Sequence, residues 1–301
     1  MNRIFRVFLG CAALLAALPA TAALQVLACE PEWGALVRAL GGADVGVREA
    51  TTARQDVHRV QARPSLIAAA RRADLLVCSG AELEIGWLPV LLRQAGNPRI
   101  LPGAPGYFEA AAVVNMLEVP TRVDRADGDV HPDGNPHIQT DPHNILKVAD
   151  ALAVRLAEID PPNATGYAAR HADFARRWRV AMTGWETRAR PLAGMGVVVQ
   201  HKAFAYLLHW PGLREIGAIE PKPGIEPSSA SLAALLAGLA TDPPRAILRA
   251  AYDDGRGSEW LAGKLGIPVV VLPFTVGGSE RATDLFGLFD DTVDRLLAVA
   301  R

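Results

Sequence analysis

The chain lacks the short signatures that mark most enzyme classes. It contains no Gly-x-x-x-x-Gly-Lys-[Ser/Thr] loop, no strand followed by Gly-x-Gly-x-x-Gly, no Gly-x-Ser-x-Gly and no His-Glu-x-x-His. Those absences set aside the commonest nucleotide-binding, serine-nucleophile and helix-borne zinc-hydrolase designs. Beyond the N-terminus there is no run of about 18 apolar residues, the length a membrane-spanning helix needs. Internal repeats and low-complexity tracts are missing too. Basic excess is also absent, with 31 Lys and Arg against 32 Asp and Glu, so nothing favours nucleic acid as a partner. Cysteine is scarce, at three in 301 residues, and histidine is limited to seven.

The N-terminus is a separate object. Arg3 and Arg6 form a basic start, Val7 to Leu18 is almost wholly apolar, and Ala20-Thr21-Ala22 is a small-x-small cleavage site. Residues 1–22 therefore read as a secretory signal peptide cleaved near Ala22, which implies export to the periplasm. The apolar stretch continues past Cys11, which argues against lipid attachment there. Removing the peptide takes away two Arg and no acid, leaving 29 basic against 32 acidic residues. Two cysteines survive, Cys29 and Cys78, each ending an expected strand. An oxidising compartment permits a disulfide between them, and two buried free thiols remain the alternative.

Half of the residues are apolar, enough for one or two sizeable cores. Short β-rich runs alternate with helical stretches: Gln25–Ala28, Val45–Glu49 and Leu75–Cys78 in the first half, Val197–Gln200, Ala246–Leu248 and Pro268–Leu272 in the second. Such alternation predicts an α/β fold with a mainly parallel sheet in each half, flanked by helices. Between the halves, Tyr167, His171, Phe174, Trp178, Met182 and Trp185 recur at steps of three and four, one face of a long α-helix. The expected organisation is an N-terminal lobe over 23–160, a rigid linking helix over 161–191 and a C-terminal lobe over 192–301.

Three histidines stand just after expected strands or before helices. His58 lies in Gln55-Asp56-Val57-His58, His137 in Gly134-Asn135-Pro136-His137, and His201 directly follows Val197–Gln200. In open α/β sheets, ligands bind beyond the carboxyl ends of strands, so ligating side chains belong on such loops. Neutral imidazole is a good zinc donor, and three imidazoles with a carboxylate complete a tetrahedron. A single loop histidine is ordinarily a solvated side chain, and spacings this wide match no local metal motif.

The residues converge on a known family. The chain resembles the metal-binding solute-binding proteins of zinc and manganese ABC importers, specifically their zinc branch. The resemblance is carried by His58 with Arg63-Pro64-Ser65, by Arg72-Ala73-Asp74-Leu75-Leu76-Val77 and by Gly86-Trp87-Leu88. It continues through Gly128 to His137, Asp141-Pro142, His201-Lys202-Ala203-Phe204 and Glu220 to Ile225. It implies two α/β lobes with Zn²⁺ captured between them for delivery to a cognate ABC permease, by a monomer, with a periplasmic zinc donor protein as a further partner. It also implies that His58, His137 and His201 are zinc ligands. Manganese members carry Glu at the third position; His201 favours zinc, because manganese prefers oxygen donors.

The fourth ligand departs from the pattern. The family usually supplies Asp after the last strand, where this chain reads Leu272-Pro273-Phe274-Thr275. Asp284 is the nearest substitute, with Glu280 or water behind it, although Asp at a helix start is also an ordinary cap. His131 lies in an acidic loop that also carries Asp124, Asp127, Asp129 and Asp133; in the family, such a loop helps collect metal. Two rival readings remain. Three histidines plus water make a hydrolase or lyase site, which needs a positioned general base. A surface adhesin needs an anchor that Cys11 does not supply.

Overall fold

The computed structural model describes residues 23–124 and 128–300. The signal-peptide segment lies outside the described residues. The described chain forms two four-stranded sheets. The first contains β1 (Leu24–Ala28), β2 (Val45–Glu49), β3 (Leu75–Cys78) and β4 (Tyr107–Glu109) in the order β2-β1-β3-β4. The second contains β5 (Gly196–Val199), β6 (Arg214–Ala218), β7 (Ala246–Ala250) and β8 (Val269–Leu272) in the order β6-β5-β7-β8.

All six strand pairings are parallel. Parallel strands need crossovers, which cover both sheet faces, and so β3 and β5 are buried along their whole length. The crossovers are the helices α1 (Pro31–Gly41), α2 (Pro64–Arg72) and α3 (Leu88–Ala95) in the first half. In the second half they are α6 (Ala205–His209), α7 (Ser229–Gly238) and α8 (Arg256–Leu265). Proline in the first turn opens α1, α2 and α3. Left-handed Gly96 and Gly266 close α3 and α8, a conformation other side chains resist.

α4 (Pro142–Ile159) leads into α5 (Ala164–Ala189), the expected linking helix, about 40 Å long at 1.5 Å per residue. Its buried face carries Tyr167, Phe174, Trp178, Met182 and Trp185. His171 leaves that stripe and pairs with Asp150 at 2.7 Å. The stripe packs against the C-terminal helix α9 (Leu285–Val299): Trp178 meets Phe286 at 4.9 Å and Trp185 stacks on Phe289 at 5.1 Å, centroid to centroid. One apolar cluster thus runs from Leu24 in β1 to Val293 in α9. The last helix spans both halves: Leu285 to Val293 join this cluster, and Leu296 joins the core under the second sheet.

Cys29 and Cys78 extend two neighbouring strands, with Ala28 opposite Val77, and are joined in a disulfide.

Candidate metal centre

Each of the three histidines is held by a local device visible in its neighbours. His58 sits in a 3-10 turn, Val57–Arg59, between β2 and α2. Asp56 caps that turn, accepting from the His58 backbone N–H at 3.0 Å, and its Oδ1 also lies 2.8 Å from the ring Nδ1. From behind, the buried Trp87 indole donates to the Val57 carbonyl at 2.9 Å. This leaves His58 Nε2 buried and without a partner.

His137 ends the Asn135-Pro136-His137 corner. Asn135 accepts from the His137 N–H at 3.1 Å and donates to Glu118 at 2.9 Å and to the Lys202 carbonyl at 2.8 Å. The Tyr206 hydroxyl holds the Asn135 carbonyl at 2.8 Å. One amide side chain therefore ties the His137 corner to the residue after His201. The His137 ring is 2% exposed, and its Nδ1 has no partner. Burial, reinforced by the neighbouring imidazoles, holds it neutral far below the ordinary histidine range.

His201 stands just past β5. Its Nδ1 lies 2.7 Å from Glu220 Oε2, the same oxygen that accepts from the Gly224 N–H at 2.7 Å. Burial pushes this imidazole down, but the Glu220 hydrogen bond and charge, with Asp253 and Asp56, raise it overall.

The three rings converge from both halves of the chain. Their centroids are 5.4 Å (His58–His137), 5.6 Å (His58–His201) and 5.8 Å (His137–His201) apart. One nitrogen from each lies within 4.8 Å of the others. A tetrahedral zinc with bonds of about 2.0–2.1 Å would hold its nitrogens roughly 3.4 Å apart, so a modest inward movement closes the set. The lobes already touch beside it, through Arg59 Nη2 and the Gly224 carbonyl at 3.1 Å. A cavity of about 140 Å³ opens next to His58 and His201, walled by Asp56, Asp129, Glu220 and Asp253, and attractive to cations.

Asp284 is not brought to the histidines. It is exposed, and its side chain accepts from the Gly287 N–H at 2.8 Å, so it is the N-cap of α9. The expectation that it completes the coordination gives way to that capping role. Glu280 is likewise exposed, and neither residue joins the converging ligand atoms. After β8 the chain turns Phe274 towards His137, ring centroids 5.5 Å apart, with Phe274 itself at φ 68°. An aromatic wall stands where a carboxylate was sought. His131 does reach the group: its ring lies 5.5 Å from that of His58. Burial, and then the charge of His58, lowers it to about 4. His143 bridges Asp141 and Glu186 instead, joining α4 to α5.

Sequence reasoning missed three buried acids behind the site, Glu30, Glu32 and Glu84. Glu84 accepts from the backbone N–H groups of Ser79, at 2.8 Å, and Gly80, at 3.2 Å. Glu30 accepts from the Ser79 N–H and hydroxyl, and the Thr275 hydroxyl donates to Glu32. Burial first, then mutual repulsion, raises Glu30 well above the usual carboxylate range; burial raises Glu32 and Glu84 to about 7. Acids beside strand ends look like surface residues in a sequence, and no spacing singles these out.

Comparisons with known proteins bear on the family and the fold. The family model described as zinc-uptake complex component A, periplasmic, matches residues 26–299. The high-affinity zinc uptake system protein ZnuA of Bacillus subtilis (strain 168) is 22% identical over 231 residues, covering 75% of this chain and 70% of that protein. A crystal structure of ZnuA superposes with a TM-score of 0.72 at 23% identity, covering 93% of this chain and 97% of the other. A manganese-bound periplasmic metal-binding protein from Candidatus Liberibacter asiaticus gives 0.74 at 16% identity, covering 92% and 99%. Membership favours neither the hydrolase nor the adhesin reading. With two parallel sheets, a linking helix and a match over almost its whole length, the chain belongs to the family of periplasmic zinc-uptake components, the zinc-binding proteins of ABC import.

Proposed function

We propose that the chain captures one Zn²⁺ on the imidazoles of His58, His137 and His201 and delivers it, as a monomer, to the permease of its cognate importer. The observation that carries this is the convergence of three imidazoles from both halves of the chain, with buried His58 Nε2 and His137 Nδ1 left without partners. Buried polar atoms are ordinarily paired, so unpaired nitrogens facing one another mark a place for a cation. Nitrogen donors suit zinc better than manganese. Asp56 and Glu220 orient the rings of His58 and His201 as carboxylates behind zinc-bound imidazoles do.

Export with cleavage near Ala22 places the protein where zinc arrives, either as the free ion or from a periplasmic donor protein. The long helix and the shared core keep lobe movement small, so release requires the docked permease to distort the site. Competition titration of the mature protein tests the reading. One tight zinc per chain is expected, with His137→Ala and His201→Ala each weakening binding by about 100-fold or more. Unchanged affinity in both variants would remove the site.

A further inference from the structure

The three-histidine site leaves one coordination position open, and the residues expected to fill it are engaged elsewhere. Asp284 caps a helix, and Phe274 offers only a ring edge. Of the seven buried side-chain atoms without a hydrogen-bond partner among the described residues, three are imidazole nitrogens: His58 Nε2, His137 Nδ1 and, from the polar loop, His131 Nε2. The His131 ring stands 5.5 Å from His58, the same spacing that separates the three histidines from one another.

We propose that His131 is the fourth zinc donor, its Nε2 completing a four-imidazole site and its loop closing over the metal. This rests on the three-histidine reading above.

The orientation of His131 has its own support. The ring stands by the backbone carbonyl of Ala81, whose influence raises the imidazole against burial, and Nε2 is buried without a partner. An acceptor on the Nδ1 side favours the tautomer with the Nε2 lone pair free, the arrangement that second-sphere acceptors impose on zinc-bound imidazoles. His58 and His201 have carboxylates at the same ring atom. The Ala81 carbonyl is itself aimed by an unusual backbone: Gly80, Ala81 and Glu82 have φ of 79°, 50° and 63°. Two consecutive non-glycine residues in that region are costly and persist where surroundings over-determine them. Glu84 supplies the hold, accepting from the N–H groups of Ser79 and Gly80. The buried acid therefore braces the turn that orients His131.

On its other side the loop is docked to the second lobe. The Asp129 N–H donates to the Pro223 carbonyl at 2.9 Å, next to Gly224, which Glu220 anchors. His131 is thus held between a turn of the first lobe and the loop behind His201. It stands outside the group whose nitrogens lie within 4.8 Å of one another, so coordination requires His131 to move inward. Four neutral nitrogens and no carboxylate make His131 a specificity-determining residue, disfavouring hard cations such as Mn²⁺ and leaving no exchangeable water on the metal.

X-ray absorption at the zinc edge, on the loaded mature protein and its His131→Ala and His131→Gln variants, tests this. The wild type is expected to show four imidazoles. Both variants should show three with one oxygen, still one zinc per chain, and an affinity lowered at least about tenfold. Thermal melts of the zinc-free variants should match the wild type. Three imidazoles and an oxygen in the wild type, with unchanged affinity in both variants, would overturn the proposal while leaving the three-histidine site intact. Zinc affinity left unchanged by both His137→Ala and His201→Ala would overturn both.

Discussion

Glu220 Oε2 lies 2.7 Å from His201 Nδ1 and also anchors the loop at Gly224, so one carboxylate sets the tautomer of a metal-facing imidazole and the wall beside it. Its charge also raises the affinity of His201 for protons. Glu220→Gln should weaken zinc binding by roughly 10–100-fold at pH 8. The sign at lower pH follows from the raised His201. In the wild type, protons begin to compete as pH falls through a value above the ordinary 6.5, whereas the variant binds protons less readily. The gap between the two proteins should therefore narrow at pH 6. A gap that widens on acidification would contradict this role, and competition titration at the two pH values decides.

The buried acids predict an unusual stability profile. Glu32 and Glu84 rise from 4.5 to about 7 in the fold, so they favour the native state fully below pH 4.5. That contribution is lost as pH rises through 7, on the order of 3 kcal/mol for Glu32. The Tm of the zinc-free protein should fall between pH 5.5 and pH 8. Glu32→Gln keeps an acceptor for the Thr275 hydroxyl and should flatten the fall. Thermal melts of both proteins across that range check it, and parallel slopes would refute it.

Asp284 separates stability from binding. As the cap of α9 it should cost about 0.5–2 kcal/mol when changed to Ala. Zinc affinity should stay the same, because the carboxylate is occupied by the Gly287 N–H on an exposed helix end. Denaturant unfolding beside zinc titration of Asp284→Ala reads both quantities. Weaker zinc binding at unchanged stability would restore it as a ligand.

Much of the frame was legible in residue order. Apolar runs such as Leu75–Cys78 and Val197–Val199 gave the inner strands, and the four-three spacing from Tyr167 to Trp185 gave the linking helix. Two of the four edge strands, β4 and β6, were not legible: β4 has only three residues, and β6 opens on the polar pair Arg214-Glu215. The place of α9 was hidden for another reason. Its apolar face is plain in sequence, but where its first turns pack depends on Trp178 and Trp185, over a hundred residues earlier.

At the site, the loop positions of His58, His137 and His201 were readable because strand ends and helix starts flank them. Asp284 is ambiguous in sequence because a cap and a ligand look alike there: both are Asp before an apolar helix. The convergence of His131 depends on the left-handed turn at Ala81 and on docking at Pro223, neither of which leaves a local pattern.

Anomalous diffraction at the zinc edge, from crystals of the loaded protein, tests the central claim most directly. A single peak about 2.0–2.1 Å from imidazole nitrogens of His58, His137 and His201 is the predicted result. A peak that excludes any of these three would contradict the account.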